Sequence, residues 1–139
     1  MNKILNKAQF SEKVFYLELE APLIAKSCKP GNFIIVRVDS HSERVPYTIA
    51  KSDPEKGTLS LVVQEVELPV GACVQDVVGP LGTPSRIEKY GTVVCAGGGI
   101  GIAAILPILT ALHDAGNKVV SVLAGRTKEL IILEDEVRA

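Results

Sequence analysis

Five residues in the last third of the chain, Gly97, Gly98, Gly99, Ile100 and Gly101, follow the apolar run 92–96, Thr-Val-Val-Cys-Ala. Consecutive glycines between a strand and a helix let backbone N–H groups and the positive end of the helix dipole approach a pyrophosphate with no Cβ in the way. The spacing departs from the G-x-G-x-x-G dinucleotide fingerprint, whose last glycine would fall on Ile102. After the next apolar run, residues 118–124, Gly125-Arg126-Thr127-Lys128 stands where an acidic residue would hold a ribose 2'-hydroxyl. Two cations suit a phosphate better, which leans the reading toward NADP over NAD. The bland alternatives are tight-turn geometry for the glycines and solvated charge for Arg126 and Lys128.

A second constellation lies upstream. Arg44-Val45-Pro46-Tyr47-Thr48-Ile49 puts a guanidinium, an aromatic ring and a hydroxyl within one short strand. Alternation sends Arg44, Pro46 and Thr48 to one face and Val45, Tyr47 and Ile49 to the other. The planar fork of an arginine matches a diphosphate, and a threonine hydroxyl can donate to or accept from a ring nitrogen. An edge-strand arginine beside a core tyrosine is the alternative reading.

The elements that must hold these residues change character along the chain. Up to about residue 89, short runs of β-type residues alternate with turn signals, the pattern of an antiparallel barrel or sandwich. Strands are expected at 14–20, 32–38, 47–50, 58–66 and 72–78, with Ser52-Asp53-Pro54-Glu55-Lys56-Gly57 as a turn and Gly79-Pro80-Leu81-Gly82 after the last strand. From Tyr90-Gly91 onward the order is strand 92–96, glycine turn, helix 103–115 and strand 118–124, a βαβ unit, followed by a helix from Ile132. The unalternating run 92–96 predicts a strand buried on both faces, and Pro107 is expected in the first helical turn. Two parallel strands cannot cover their own faces, so the sequence predicts either a truncated chain or a partner that completes the sheet. A complete 139-residue reading frame giving a stable monomer would refute truncation.

Composition narrows the function classes. The chain is 47% hydrophobic and 22% charged, which supports a filled core and excludes intrinsic disorder. Fifteen Lys+Arg against sixteen Asp+Glu leave a formal net charge of -1, so no bulk field favours nucleic acid or an acidic membrane surface. No stretch approaches the roughly 18 apolar residues of a membrane span, and the first residues lack a signal-peptide core, so a cytoplasmic location is expected. Cys28, Cys73 and Cys95 are far apart and show no C-x-x-C spacing. Neither a disulfide framework nor a metal or iron–sulfur site is indicated.

Taken in order, Lys29-Pro30-Gly31-Asn32-Phe33, Arg44 to Ile49, Gln64-Glu65-Val66, Gly79-Pro80-Leu81-Gly82, residues 95–103, Gly125-Arg126 and Leu133-Glu134-Asp135-Glu136 resemble the motifs of the ferredoxin-NADP reductase superfamily. The similarity is greatest to its electron-transfer subunits. It implies an FAD-binding antiparallel Greek-key barrel at residues 1–89 and the front part of an α/β NAD(P)-binding domain, incomplete here, at 90–139. It also implies that Arg44 holds the FAD phosphates, Tyr47 lies against the isoalloxazine ring with Pro46 beside it, and Thr48 bonds near N5. Gly97 to Gly101 with Arg126 would hold NAD(P)H. The redox chemistry belongs to the flavin, so no catalytic acid or base is expected.

Three departures accompany this resemblance. After Val66 the family continues into a glycine and a Ser/Thr-rich helix start that cradles the FAD pyrophosphate, whereas Glu67-Leu68-Pro69-Val70-Gly71 runs straight on. Ala104 replaces a usual proline after the glycine turn. The rest of the nicotinamide domain is missing, as is the cysteine cluster for the [2Fe-2S] centre of the full-length subgroup. The expected function is flavin-dependent electron passage between NAD(P)H and a one-electron acceptor, as a fragment or subunit. Expected partners are ferredoxin or a larger flavin/iron–sulfur subunit, and a homo-oligomer stays open. The competing expectation is a non-catalytic degenerate barrel that binds a partner subunit or a nucleotide.

Overall fold

A computed structural model describes residues 2–64 and 68–138. Two antiparallel sheets form the first part. The first has four strands: β1 (Ile4–Gln9), β2 (Val14–Glu20), β6 (Thr58–Gln64) and β5 (Lys51–Asp53), in that spatial order. The second has three, β4 (Val45–Thr48), β3 (Phe33–Arg37) and β7 (Asp76–Leu81). A short helix α1 (Pro22–Ser27) leaves β2 with proline in its first turn, where no intrahelical acceptor is lost.

Leu17, Leu19, Ile34, Leu59 and Leu61 form the centre of the core between the two sheets, each nearly or fully buried. Burial of each such side chain contributes about 1.5–3 kcal/mol. One continuous stretch of backbone links the sheets, bending after β4: the Ile49 N–H bonds to Asn32 O across the second sheet, and the Ala50 N–H bonds to Ser60 O in the first.

The expected closed barrel is corrected here. On the side away from that bend, residues 71–74 run beside residues 2–4 through a few backbone bonds and one isolated bridge, Lys3 to Cys73, before the chain turns away to pair with β3. A single bridge stands where a ladder would be needed, so the two sheets are not joined into a closed hydrogen-bonded cylinder. The predicted strand at 72–78 is displaced for the same reason and runs over Asp76–Leu81. Gly79 and Pro80, expected to follow the strand, lie inside it. The β3–β7 register slips between Phe33↔Leu81 and Ile35↔Val78, so β7 carries an extra residue there, and β7 is an edge strand that tolerates a proline. A Cβ at residue 79 would sit 2.8 Å from Ile34 Cγ2, which reserves the position for glycine.

The second part is β8 (Thr92–Gly98), α2 (Gly101–Asp114) and β9 (Lys118–Ala124), followed by a 3-10 turn, Lys128–Leu130, and α3 (Glu134–Arg138). β8 and β9 pair in parallel from Thr92↔Lys118 to Gly98↔Ala124. The βαβ order matches expectation, but two details do not. Because α2 begins at Gly101, Pro107 falls in its second turn, and the Ala103 carbonyl loses the N–H that a regular helix would supply. β8 is also not buried on both faces: its residues alternate, and Val94 and Val122 are 65% and 51% exposed. α2 covers only one face of this two-stranded sheet, packing on Cys95, Val119 and Leu123.

The same helix packs on the antiparallel part. Ile102, Ala103, Leu106 and Leu109 share an apolar cluster with Val14, Ala50 and Val62. Sequence periodicity missed β1, whose apolar start Ile4-Leu5 gives way to polar Asn6 and Lys7, and the short elements β5 and α1. Predicted residues Glu65, Val66 and Ala139 lie outside the described residues. Among the described residues no helix is long and apolar enough to cross a membrane, and no group of three or more His, Cys, Asp or Glu is placed to hold a metal ion.

Candidate functional site

The glycines at the end of β8 divide into two kinds. Gly97 faces the helix: an added Cβ would lie 2.9 Å from Ile105 Cδ1 and 3.1 Å from Ile102 Cα, so this glycine allows strand and helix to pack. A Cβ at Gly99 or Gly101 would meet nothing within 4 Å. Gly99 turns the chain at φ +56, and its N–H bonds to Ala124 O at 3.0 Å, pinning the turn to the end of β9.

Helix α2 starts without a cap. Ile100 provides no capping side chain, and no acidic residue lies in the first turn. The N–H groups of Ile102 and Ala103 bond back to the carbonyls of Gly99 and Ile100, while those of Ile100 and Gly101 have no backbone acceptor among the described residues. The result is an uncompensated positive helix end beside open space, whose chemistry suits an anionic oxygen donor such as a phosphate.

That space belongs to a cavity of about 640 Å³. Gly99 and Ile100 line it from the glycine turn, Gly125 and Arg126 from the end of β9, and Leu130 and Ile132 supply apolar wall. Arg126 therefore shares the cavity with the glycine turn. Lys128, read beside it in the sequence, lines a different cavity with Glu134 and Arg138. Sequence reasoning missed the opposite wall: Ser11, Glu12 and Lys13, at the tip of the β1–β2 hairpin, and Gln64 at the end of β6. The polar triplet Ser11-Glu12-Lys13 could have been read as a turn, but only once β1 had been recognised.

The upstream constellation lies on the other sheet. Tyr47 stands opposite the fully buried Ile34 in the β3–β4 ladder and packs against the core cluster. Burial pushes its phenol above the ordinary value of 10.0. Pro46 and Thr48 are on the reverse face, opposite Ile35 and Phe33, so the alternation read from the sequence holds. Arg44 precedes β4 and is exposed. Its guanidinium pairs with Asp76 at 3.6 Å, with the two side chains 52% and 42% exposed, a geometry that contributes little in water and can be exchanged for another anion. The loop before it is shaped by Asp39, whose carboxylate accepts from Ser42 Oγ and from the N–H groups of His41 and Ser42, each at 2.8 Å. Those bonds, the Ser42 hydroxyl first, hold its carboxyl below the usual range. Arg44, Pro46, Tyr47 and Thr48 do not line the cavity at the glycine turn. The run Glu67 to Gly71, which stands where the family has its FAD pyrophosphate cradle, begins at Glu67, and Glu67 lies outside the described residues together with Glu65 and Val66.

No protein-family model matches the chain. It is 42% identical, over 99% of its length, to the dihydroorotate dehydrogenase B (NAD(+)) electron transfer subunit homolog of Thermotoga maritima, of which it covers 52%. The electron transfer subunit of dihydroorotate dehydrogenase B from Streptococcus pneumoniae is 28% identical over 97% of the chain. Among solved structures, the NADH-dependent reduced ferredoxin-NADP oxidoreductase, studied for flavin-based electron bifurcation, superposes with a TM-score of 0.93 at 40% identity, 97% of this chain lying on 52% of that one. Phthalate dioxygenase reductase shares the fold alone, with a TM-score of 0.81 at 20% identity over 99% of this chain and 47% of that one. The resemblance to the ferredoxin-NADP reductase superfamily carried by the motifs is borne out, and the chain spans about half the length of these relatives.

Proposed function

We propose, from this likeness to ferredoxin-NADP reductase-like flavoproteins, that the chain binds FAD and a nicotinamide nucleotide and passes electrons between NAD(P)H and a one-electron acceptor. The acceptor would be ferredoxin or an iron–sulfur partner. The observation that carries this reading is the cavity in which Ile100 at the uncapped start of α2, the open space over Gly99, and Arg126 come together. In this reading residues 1–89, with their two antiparallel sheets, are the FAD-binding unit, and residues 90–139 are part of the NAD(P)-binding unit.

Each set of residues has a distinct task. The N–H groups of Ile100 and Gly101 hold the pyrophosphate of the nicotinamide nucleotide, Gly97 lets the strand pack closely on α2 so that the turn is held in place, Gly99 keeps the backbone open to the ligand, and Arg126 pairs with a further phosphate. Arg44 gives up its weak contact with Asp76 for the FAD diphosphate, and Thr48 offers its hydroxyl to the flavin edge from the outer face of β4. Tyr47 supports that edge from the core side, and Pro46 shares the outer face with Thr48. Bound FAD would supply the hydride chemistry and its division into single electrons. The exposed valine face of β8 and β9 fits a role as a subunit, covered by further polypeptide within a larger assembly.

The test is direct. Protein purified from its expression host, or reconstituted with FAD, should be yellow, with flavin absorbance near roughly 450 nm that bleaches on addition of NAD(P)H. Colourless protein that takes up no FAD would remove the redox reading. A second reading, a non-catalytic module that binds a nucleotide or a partner subunit, is favoured by the run Glu67-Leu68-Pro69-Val70-Gly71, which stands where the family has its FAD pyrophosphate cradle. It predicts nucleotide binding by calorimetry with no flavin uptake.

A further inference from the structure

The segment at residues 82–91 joins the antiparallel sheets to β8 and contains no helix or strand. Most of its residues are exposed, so it buries too little apolar surface to offset an ordering cost of about 1–2 kcal/mol per residue. A loose tether would be expected. Instead, two buried asparagines grip its ends.

At the first end, Asn32 accepts a bond from the Lys29 N–H at 2.7 Å and donates from Nδ2 to the carbonyls of Leu81 and Gly82 at 3.2 and 3.3 Å. At the second end, Asn117 Oδ1 accepts from the N–H groups of Tyr90 and Gly91 at 2.5 and 2.9 Å, and Nδ2 donates to the carbonyls of Glu88 and Leu112 at 2.8 and 2.9 Å. Asn117 thus uses both lone pairs and both hydrogens of its amide. Between the ends, the Ser85 N–H donates to Pro30 O at 2.9 Å. The segment lies so close to Gly31 that a Cβ there would come 2.5 Å from Ser85 Oγ. Both asparagines are about 95% buried, where an unpaired amide is costly, so these bonds specify one geometry. The apolar cluster between α2 and the first sheet attracts without direction, whereas these bonds tie particular donors to particular acceptors at each end of the segment.

We infer that Asn32 and Asn117 are positioning residues that turn the segment 82–91 into a splint, setting how the glycine turn faces the sheet that carries Arg44 and Thr48. The orientational part stands by itself; the kinetic consequence rests on the proposed function. Residual dipolar couplings of backbone amides in β2 and β6 and in β8, β9 and α2 read the orientation directly. The intact chain should fit one alignment tensor. Asn117→Ala, which removes one grip, and Gly31→Ala, which pushes on Ser85 without entering the core, should each require two tensors or one rotated arrangement. Both variants retaining the original single arrangement would overturn the splint.

In the FAD-loaded chain, Asn117→Ala should lower the saturating rate of flavin reduction by NAD(P)H at least about tenfold, because misplacement acts on the reacting geometry. Half-saturation by NAD(P)H and FAD retention should stay within about twofold, since neither site is touched. An unchanged saturating rate overturns the positioning role. Should the chain take up no FAD, the functional proposal falls while the dipolar couplings still decide the splint.

Discussion

Strands β6 and β8 are both seven residues long and apolar at their centres, TLSLVVQ and TVVCAGG, yet six residues of β6 are buried while alternate residues of β8 are exposed. β6 has the core between the two sheets on one side, through Leu59, Leu61 and Val63, and helix α2 on the other, through Val62. β8 has α2 on one side and solvent on the other. One helix therefore serves two sheets, completing the burial of the antiparallel part and covering only half of the parallel one. The lesson is that a strand's burial belongs to its neighbours as much as to its own side chains.

Mutations that cut this contrast should have unequal effects. Leu59→Ala or Leu61→Ala should lower stability by about 2–5 kcal/mol, whereas Val94→Ala or Val122→Ala should cost less than about 1 kcal/mol, as read by urea unfolding. Equal losses would mean that the open face of β8 is covered in solution. Arg44→Ala should weaken FAD retention by about 1.5–3 kcal/mol, measured by flavin release on dilution, with unfolding unchanged in the FAD-free protein. Retention equal to wild type would remove Arg44 from the flavin site.

Within the parallel part, Gly97→Ala should cost about 1–3 kcal/mol through crowding against Ile102 and Ile105. Gly101→Ala should leave unfolding within about 1 kcal/mol but weaken calorimetric binding of NADPH or ADP, since its Cβ enters the space assigned to phosphate. If both variants behave alike, the division between packing and binding glycines is wrong. The smallest expected effect is on the alkaline limb of stability. The Tyr47 phenol is raised above 10.0 by burial, so its contribution is complete below the unfolded value and is lost as pH rises through the folded one. Tyr47→Phe should flatten that alkaline loss, visible in thermal midpoints taken across the range; an unaltered slope would show that the ring does not titrate inside the core.

Much of the molecule could be read in advance because the signals were local. β2 and β9 run over the residues expected, and the glycine turn sits between strand and helix as its sequence demands. Tyr47 and Thr48 point to opposite faces because alternation is a property of any extended backbone. What escaped was contextual. β1 and β5 are strands only because β2 and β6 offer them edges, and β7 absorbs Gly79-Pro80 because β3 provides a register with room for a bulge. Arg126 and Lys128, two residues apart, serve different cavities because the chain turns between them.

By itself the sequence determined the two kinds of architecture, the order of the βαβ unit and the chemistry offered by its glycines and arginines, since propensity, turn residues and backbone freedom act over a few positions. Only the tertiary structure decided that the barrel stays unclosed, that β6 rather than β8 is covered on both faces, and that the β1–β2 hairpin and Gln64 wall the glycine-turn cavity. Those outcomes depend on which surfaces meet across long stretches of chain, and burial and hydrogen-bond geometry between distant segments are not encoded in any one of them.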